Sequence, residues 1–402
     1  MQIQITPSRA SGRVCAPPSK SVAHRLLILA AFADGISEIS NLPLCEDVLA
    51  TLDCLKALGV QFKLTDNKIT VYGKPVHALS PVGALPCRES ASTLRLLLPI
   101  AALTASKVCF TASEQLLSRP MHVYEQLFAR LGWLYEKNTD GYTVCGGELP
   151  GETELCANVS SQFVSGILLA YAVSGKGGRL LLMTAPSSRP YIELTLGALR
   201  RFGVDAVWEN EREIRVLAAP LTPISAQVEG DYSAAANLDA FNSFGGEVIV
   251  EGLSDRSHQG DRVYKGLFAL LSRERAEIDI DTCPDLGPIL FALAAAKHGA
   301  IFHSIARLRI KESDRISAMA EELHKLGARF SINENSLEIF PCKLHSPTTP
   351  LDSHGDHRIA MALIPLLSLV GGSIRGVEAT GKSFPDYLTS IRALGIEAKE
   401  IQ

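Results

Sequence analysis

Seven short stretches of the chain set a cation beside a helix start or a Ser/Thr/Gly loop, and they hold the side chains best suited to chemistry on anions. The first, "APPSKSVAHRLLIL" (16–29), places Lys20 between Ser19 and Ser21, with Arg25 one turn into an apolar helix. The others are "RESASTLRLLLP" (88–99), "LLSRPM" (116–121), "NVSSQFVSG" (158–166), "IKESDRISAM" (310–319), "GDHRIAMAL" (355–363) and "ATGKSFPDY" (379–387). Each has a plain structural reading. Ser19 or Ser21 can cap the first helix, Ser160 and Ser161 can cap a helix from Gln162, and Asp356 can be an N-cap with His357 and Arg358 in its first turn. Lys311 and Arg315, four apart, can be a solvated helix face. The alternative is that helix N–H groups, hydroxyls and the cations Lys20, Arg25, Arg95, Arg119, Lys311, Arg315, Arg358 and Lys382 gather anions. Two acids accompany them: Glu312 inside "IKESDR", and Asp285 in "DTCPDLGPIL" at a helix start. Cations that neutralise phosphate and carboxylate, with acids that move protons, suit a reaction between two anionic small molecules. No P-loop, GxGxxG or GxSxG motif offers a competing chemistry.

Composition narrows the class. With a net charge of −4 and a pI near 6.2, a general nucleic-acid or anionic-membrane surface is not expected, so anion-binding cations must be gathered locally. A chain of 402 residues, 47% hydrophobic and 20% charged, suits a compact protein of two or three domains. The start, "MQIQITPSRASGRV", lacks the apolar core of a signal peptide and alternates like a strand. The longest apolar run, Ile359 to Val370, contains Pro365 and falls short of a membrane span. Nine cysteines without a CxxC pair give no metal-ligand spacing, and free thiols imply a cytoplasmic location.

The elements that must position these residues repeat. A helix ending in Leu/Phe-Gly, a strand, a polar turn and a second strand recur in "CLKALGVQFKLTDNKITVYG", "LFARLGWLYEKNTDGYTVCGG", "ALRRFGVDAVWENEREIRVL" and "ELHKLGARFSINENSLEIFP". A partial copy, "SIRALGIEAKEIQ", closes the chain. The glycines fall at 59, 132, 203, 327 and 395, and the wide gap between 203 and 327 hides a shorter copy around "GLFALLSRERAEIDID" that has lost its Leu-Gly and its second hairpin strand. Glycine suits the left-handed turn that ends each helix. Six small α/β units cannot bury their faces alone, so they must pack on one another.

At "PSKSVAHR", "GDYSAAA", "KESDRI", "GDHRIAM" and "GKSFPDY" the chain resembles the EPSP synthases, enolpyruvyltransferases of the shikimate pathway, over nearly its whole length. The resemblance implies an α/β, two-lobed fold in which each lobe holds three βαβαββ repeats and two crossover strands join the lobes. It implies lobes of 1–16 plus 228–402 and of 17–227, a cleft that closes over the site, and a monomer. It implies transfer of the enolpyruvyl group of phosphoenolpyruvate to the 5-hydroxyl of shikimate 3-phosphate by addition–elimination, on the way to chorismate, with no metal or organic cofactor. Carried over by position, Lys20, Ser21, Arg25, Ser160, Ser161, Gln162, Ser188, Tyr191, Asp285 and Lys311 contact shikimate 3-phosphate. Lys20, Ala91, Arg119, Gln162, Arg315, Arg358 and Lys382 contact phosphoenolpyruvate, and Asp285, Glu312 and Lys20 act in the chemistry. The partners implied are these two substrates, with no nucleic acid and no membrane.

Three departures stand out. The usual Asn-Ser/Ala-Gly-Thr stretch reads Glu89, Ser90, Ala91, Ser92, and a common Asn is Arg307. Asn237 and Asp239 interrupt a helix that is normally apolar. Ala91 adds a methyl group where most members have glycine against the phosphoenolpyruvate site, which the herbicide glyphosate occupies; it can also be only a better helix former. Two rivals are the enolpyruvyltransferase acting on UDP-N-acetylglucosamine and a non-catalytic anion-binding module. The first typically has Lys-Asn at Lys20-Ser21 and a cysteine in the region of "LLSRPM"; the second does not explain Glu312 and Asp285.

Overall fold

The structure, a computed structural model, describes residues 1–401. It divides into two compact units, Met1–Pro17 with Gly230–Gln402, and Pro18–Glu229. The chain therefore passes from one unit to the other twice, at two adjacent prolines and at a Glu-Gly pair. No helix among the described residues is long and apolar enough to cross a membrane.

Three four-stranded sheets build the unit Pro18–Glu229, each a βαβαββ repeat. In the third repeat Glu152–Leu155 runs parallel to Gly178–Leu182, which pairs antiparallel with Glu213–Val216, and Ala206–Asn210 closes the edge. The first repeat takes its opening strand from the far end of the unit, where Ser225–Gln227 lies parallel to Gly35–Ser40. Helices Lys20–Phe32, Ala91–Ala102 and Ser161–Ser174 are buried on nearly every side and form the core. Their close packing depends on Gly166. A Cβ there would lie 2.1 Å from the Tyr124 hydroxyl and 2.4 Å from the Arg95 carbonyl, so only glycine lets helix Ser161–Ser174 approach helix Ala91–Ala102.

The other unit has two complete sheets and one reduced to Ser11–Cys15 and Glu247–Glu251. After helix Tyr264–Leu271 the chain enters Ala276–Asp279, which is the first strand of the next sheet, parallel to Ala300–His303. The fourth repeat thus lacks both hairpin strands, and "AEID" belongs to the fifth copy rather than the fourth. The sixth copy is completed from the start of the chain: Gln2–Ile5 pairs antiparallel with both Gly372–Arg375 and Ala398–Ile401. Asn237 does not interrupt its helix. Tyr232–Asp239 runs through it, with Asn237 Nδ2 donating to the Ser233 carbonyl, and the α-helix stops at Asp239. The five repeat glycines all have positive φ, from 66° at Gly132 to 97° at Gly327.

Candidate active site

In the unit Gly230–Gln402 the cations are gathered around carboxylates. Arg315 opens helix Arg315–Lys325 and is 1% exposed, so it is not on a solvated face. Its guanidinium meets Asp356 Oδ2 at 2.8 Å through Nε, Asp285 Oδ1 at 3.0 Å through Nη1 and Glu312 Oε2 at 2.7 Å through Nη2. Asp285 also receives Lys311 Nζ at 3.3 Å and Arg358 Nη2 at 3.1 Å. One carboxylate therefore joins three cations. Burial alone would raise the Asp285 pKa, but Arg358, Lys311 and Arg315 hold it well below the usual carboxylate range. Burial lowers the Lys311 pKa, with Asp285 opposing. Burial would also lower Arg315, yet Asp356, Glu312 and Asp285 together raise it.

Local sequence explains these positions. Asp356 is the N-cap of His357–Val370, accepting from the Arg358 backbone N–H at 2.9 Å, and the same carboxylate grips Arg315. Capping and charge pairing are two uses of one residue. Gly355, in a left-handed turn (φ 66°), presents its carbonyl to Lys382 Nζ at 2.9 Å. Arg307 turns to Asp281, meeting its carboxylate at 2.7 Å and its carbonyl at 2.9 Å. Behind the cluster, Ser233 donates to the buried Asp261, whose pKa is pushed up to about 7 by burial and by Asp285, with Arg358 opposing.

In the unit Pro18–Glu229 the candidate cations differ: Lys20 meets a carboxylate, whereas Arg25 and Arg95 donate to neutral groups. Lys20 begins helix Lys20–Phe32 and pairs with Asp47 at 2.7 Å, while Ser19, at the N-cap position, makes no side-chain cap bond. Arg25, 4% exposed, donates through Nε to Thr195 Oγ1 at 2.8 Å and through Nη1 to the Ser21 carbonyl at 2.7 Å. Its Nη2 donates to the Tyr191 carbonyl at 2.9 Å and to Ser165 Oγ at 3.3 Å. Among the described residues no carboxylate pairs with it, and burial pushes its pKa down to about 10. Arg25 thus bonds the backbone carbonyls of Ser21 and Tyr191 while carrying a buried positive charge.

Gln162 is clamped by helix Ala91–Ala102: its Oε1 accepts from Arg95 Nη1 at 2.9 Å and its Nε2 donates to Ser92 Oγ at 2.8 Å. Arg95 also donates to the Pro120 carbonyl at 2.8 Å, beside Arg119. Ser160 caps helix Ser161–Ser174 by accepting from Gln162 N–H at 3.3 Å. Ser188, in the left-handed region (φ 51°), precedes helix Arg189–Arg201, which carries Tyr191. Ala91 is the first residue of helix Ala91–Ala102, behind Ser90 as N-cap. Arg119 lines a cavity of about 160 Å³ with Met121, His122, Glu125, Tyr135, Lys137 and Tyr142, a lining that includes neither Lys20 nor Gln162.

Sequence reasoning did not single out Asp47 or Asp261, and it took Asp356 only for a cap. An acid in the first turn of Glu46–Ala57 suits the helix dipole without any site, so Asp47 carried no separate signal.

A family model for EPSP synthase (3-phosphoshikimate 1-carboxyvinyltransferase) matches residues 5–391. The chain is 34% identical to the 3-phosphoshikimate 1-carboxyvinyltransferase of Clostridium kluyveri, over 99% of this chain and 98% of that one. It is also 34% identical to that of Clostridium perfringens strain SM101, over 98% of each. Among solved structures it is similar to the EPSP synthase of Acinetobacter baumannii, with a TM-score of 0.80 and 25% identity over 99% of this chain and all of that one. With these similarities spanning both units and every motif above, the chain belongs to the EPSP synthase family.

Proposed function

We propose that this enzyme, a 3-phosphoshikimate 1-carboxyvinyltransferase, works through the residues assembled above. It transfers the enolpyruvyl group of phosphoenolpyruvate to the 5-hydroxyl of shikimate 3-phosphate and releases phosphate. In the addition step the 5-oxygen bonds to C2 of phosphoenolpyruvate, the hydroxyl loses its proton and the methylene carbon gains one. In the elimination step the methyl group returns a proton and the bond from C2 to the phosphate oxygen breaks.

Ser160, Ser161 and Ser188 hold the shikimate phosphate, beside Ser21 and Arg25, and Gln162 and Tyr191 flank the ring. Asp285 and Lys311 bind its hydroxyls. Asp285 stays ionised beside three cations and accepts the hydrogen of the 5-hydroxyl, while Glu312 is the second carboxylate for proton transfer. Lys20, Arg119, Arg315, Arg358 and Lys382 neutralise phosphoenolpyruvate and the charge that develops as phosphate leaves. Ala91 lines the phosphoenolpyruvate subsite. We place the enzyme in the cytoplasm as a monomer; the nine free thiols support the reducing compartment.

The observation that carries this reading is the single carboxylate, Asp285, shared by Lys311, Arg315 and Arg358. Its test is a split in kinetic constants. Ser161→Ala should raise KM for shikimate 3-phosphate and spare that for phosphoenolpyruvate, and Lys382→Ala should do the reverse. Equal changes in both constants for both variants would contradict the assignment.

A further inference from the structure

Beneath Lys20 and Ala91 runs a chain of four buried polar side chains. His24 Nδ1 lies 2.7 Å from Thr51 Oγ1, Thr51 Oγ1 lies 2.7 Å from Thr93 Oγ1, and Thr93 Oγ1 donates to Ser90 Oγ at 2.8 Å. All four residues are 1% exposed or less. Thr93 also reaches the Asp47 carbonyl at 3.3 Å, and its backbone N–H donates to Ser90 Oγ at 3.2 Å. The burial holds His24 neutral, with its pKa down to about 3. With the Thr93 hydroxyl donating to Ser90 and Asp47, Thr51 must donate to Thr93, and His24 Nδ1–H must donate to Thr51. The whole chain then has one direction of hydrogen bonding, set by a single tautomer of His24.

Its placement is what matters. His24 lies one helical turn after Lys20 on the same helix, and Thr51 one turn after Asp47, the partner of Lys20. Thr93 lies in the first turn of the helix that Ala91 begins. Residues four apart share a helix face. The chain therefore ties together the three helices that carry Lys20, Asp47 and Ala91, one turn along from Lys20 and Asp47. Nothing in the transfer reaction uses these hydroxyls or this imidazole.

We propose that His24, Thr51 and Thr93 are positioning residues that set the spacing of Lys20 from Ala91, and so decide how the phosphoenolpyruvate subsite discriminates between its substrate and longer anions such as glyphosate. The inference rests on the reading that Lys20 and Ala91 line that subsite. Thr51 is the link to cut, because its hydroxyl bonds both neighbours and valine keeps its shape.

The experiment compares purified Thr51→Val, Thr51→Ser, Lys20→Ala and Ile69→Val with the parent enzyme. Ile69→Val serves as a destabilised control from the same core. Because small misplacements in a substrate clamp can cost up to about a hundredfold, Thr51→Val should raise KM for phosphoenolpyruvate about tenfold. It should also change the ratio of the glyphosate inhibition constant to that KM, leave KM for shikimate 3-phosphate near its parent value, and lose these effects in Thr51→Ser. Ile69→Val should lower the melting temperature without moving the ratio. An unchanged ratio in Thr51→Val, or the same change in Ile69→Val, overturns the inference. If Lys20→Ala raises KM for phosphoenolpyruvate and Thr51→Val does not, the positioning role alone falls; if neither does, the subsite reading falls with it.

Discussion

In Gly230–Gln402 the guanidinium of Arg315 is met by three carboxylates and that of Arg358 by one of the same three, whereas in Pro18–Glu229 Arg25 is met by two carbonyls and two hydroxyls. The difference shows in the direction of the pKa shifts. Acids raise Arg315, and burial lowers Arg25. A cluster whose charges are already balanced holds Asp285 ionised. A cage of neutral groups leaves the buried charge of Arg25 without a carboxylate to offset its desolvation.

The largest effect should come from breaking the balanced cluster. Asp285→Asn leaves Lys311, Arg315 and Arg358 without their shared partner, and truncating one member of a buried charge pair costs about 2–5 kcal/mol. At ~1.4 kcal/mol per tenfold, kcat/KM should fall by about 30- to 4,000-fold while circular dichroism still reports a folded chain. Lys20→Ala and Lys382→Ala should fall in the same range, since each leaves a substrate charge unmatched. Near-parent activity in either lysine variant would remove that residue from the site.

A smaller effect is expected from shape in the other unit. Restoring glycine at Ala91 removes one methyl group from a position that is 4% exposed. Overpacking costs about 1–3 kcal/mol, so Ala91→Gly should bind glyphosate about 5- to 150-fold more tightly, with less change in KM for phosphoenolpyruvate. An unchanged inhibition constant would leave Ala91 as a helix former only.

The smallest effects, and the ones that sharpen the contrast most, are in the pH dependence of stability. His24, in Pro18–Glu229, has its pKa lowered from 6.5 to about 3, so between those values the unfolded chain holds a proton that the folded chain does not. Its contribution to stability is present above pH 6.5 and is lost as the pH falls toward 3. Asp261, in the balanced unit, has its pKa raised from 3.8 to about 7, so there the folded chain holds the extra proton. Its contribution is present at low pH and is lost as the pH rises toward 7. Denaturant midpoints measured across this range should therefore change slope in opposite senses for His24→Asn and Asp261→Asn. Slopes that move the same way would contradict the opposite pKa shifts of His24 and Asp261.

How far the sequence discloses this arrangement depends on range. The repeat stands out because each helix end needs a glycine in left-handed backbone, as at Gly59 (φ 96°) and Gly327 (φ 97°), and such a need leaves a local mark. Strand pairing leaves none. The sixth repeat reads as partial because its last strand is Gln2–Ile5, at the opposite end of the chain, and "AEID" sits next to the fourth repeat in sequence while pairing in the fifth. Site residues follow the same rule. Lys20, Arg315 and Arg358 are visible in short motifs, whereas the Thr51–Thr93 contact joins side chains 42 residues apart, and nothing near either threonine announces it. Asp356 shows why capping and charge pairing need not be weighed against each other: the carboxylate that caps helix His357–Val370 also grips Arg315.

The central claim is that this chain joins two particular anions, and release of inorganic phosphate by the purified protein tests it most directly. With phosphoenolpyruvate and shikimate 3-phosphate together, the account predicts one phosphate released per enolpyruvyl ether formed, no release when either substrate is omitted, and loss of release in Asp285→Asn. Release with UDP-N-acetylglucosamine in place of shikimate 3-phosphate, or none with the intended pair, would contradict it.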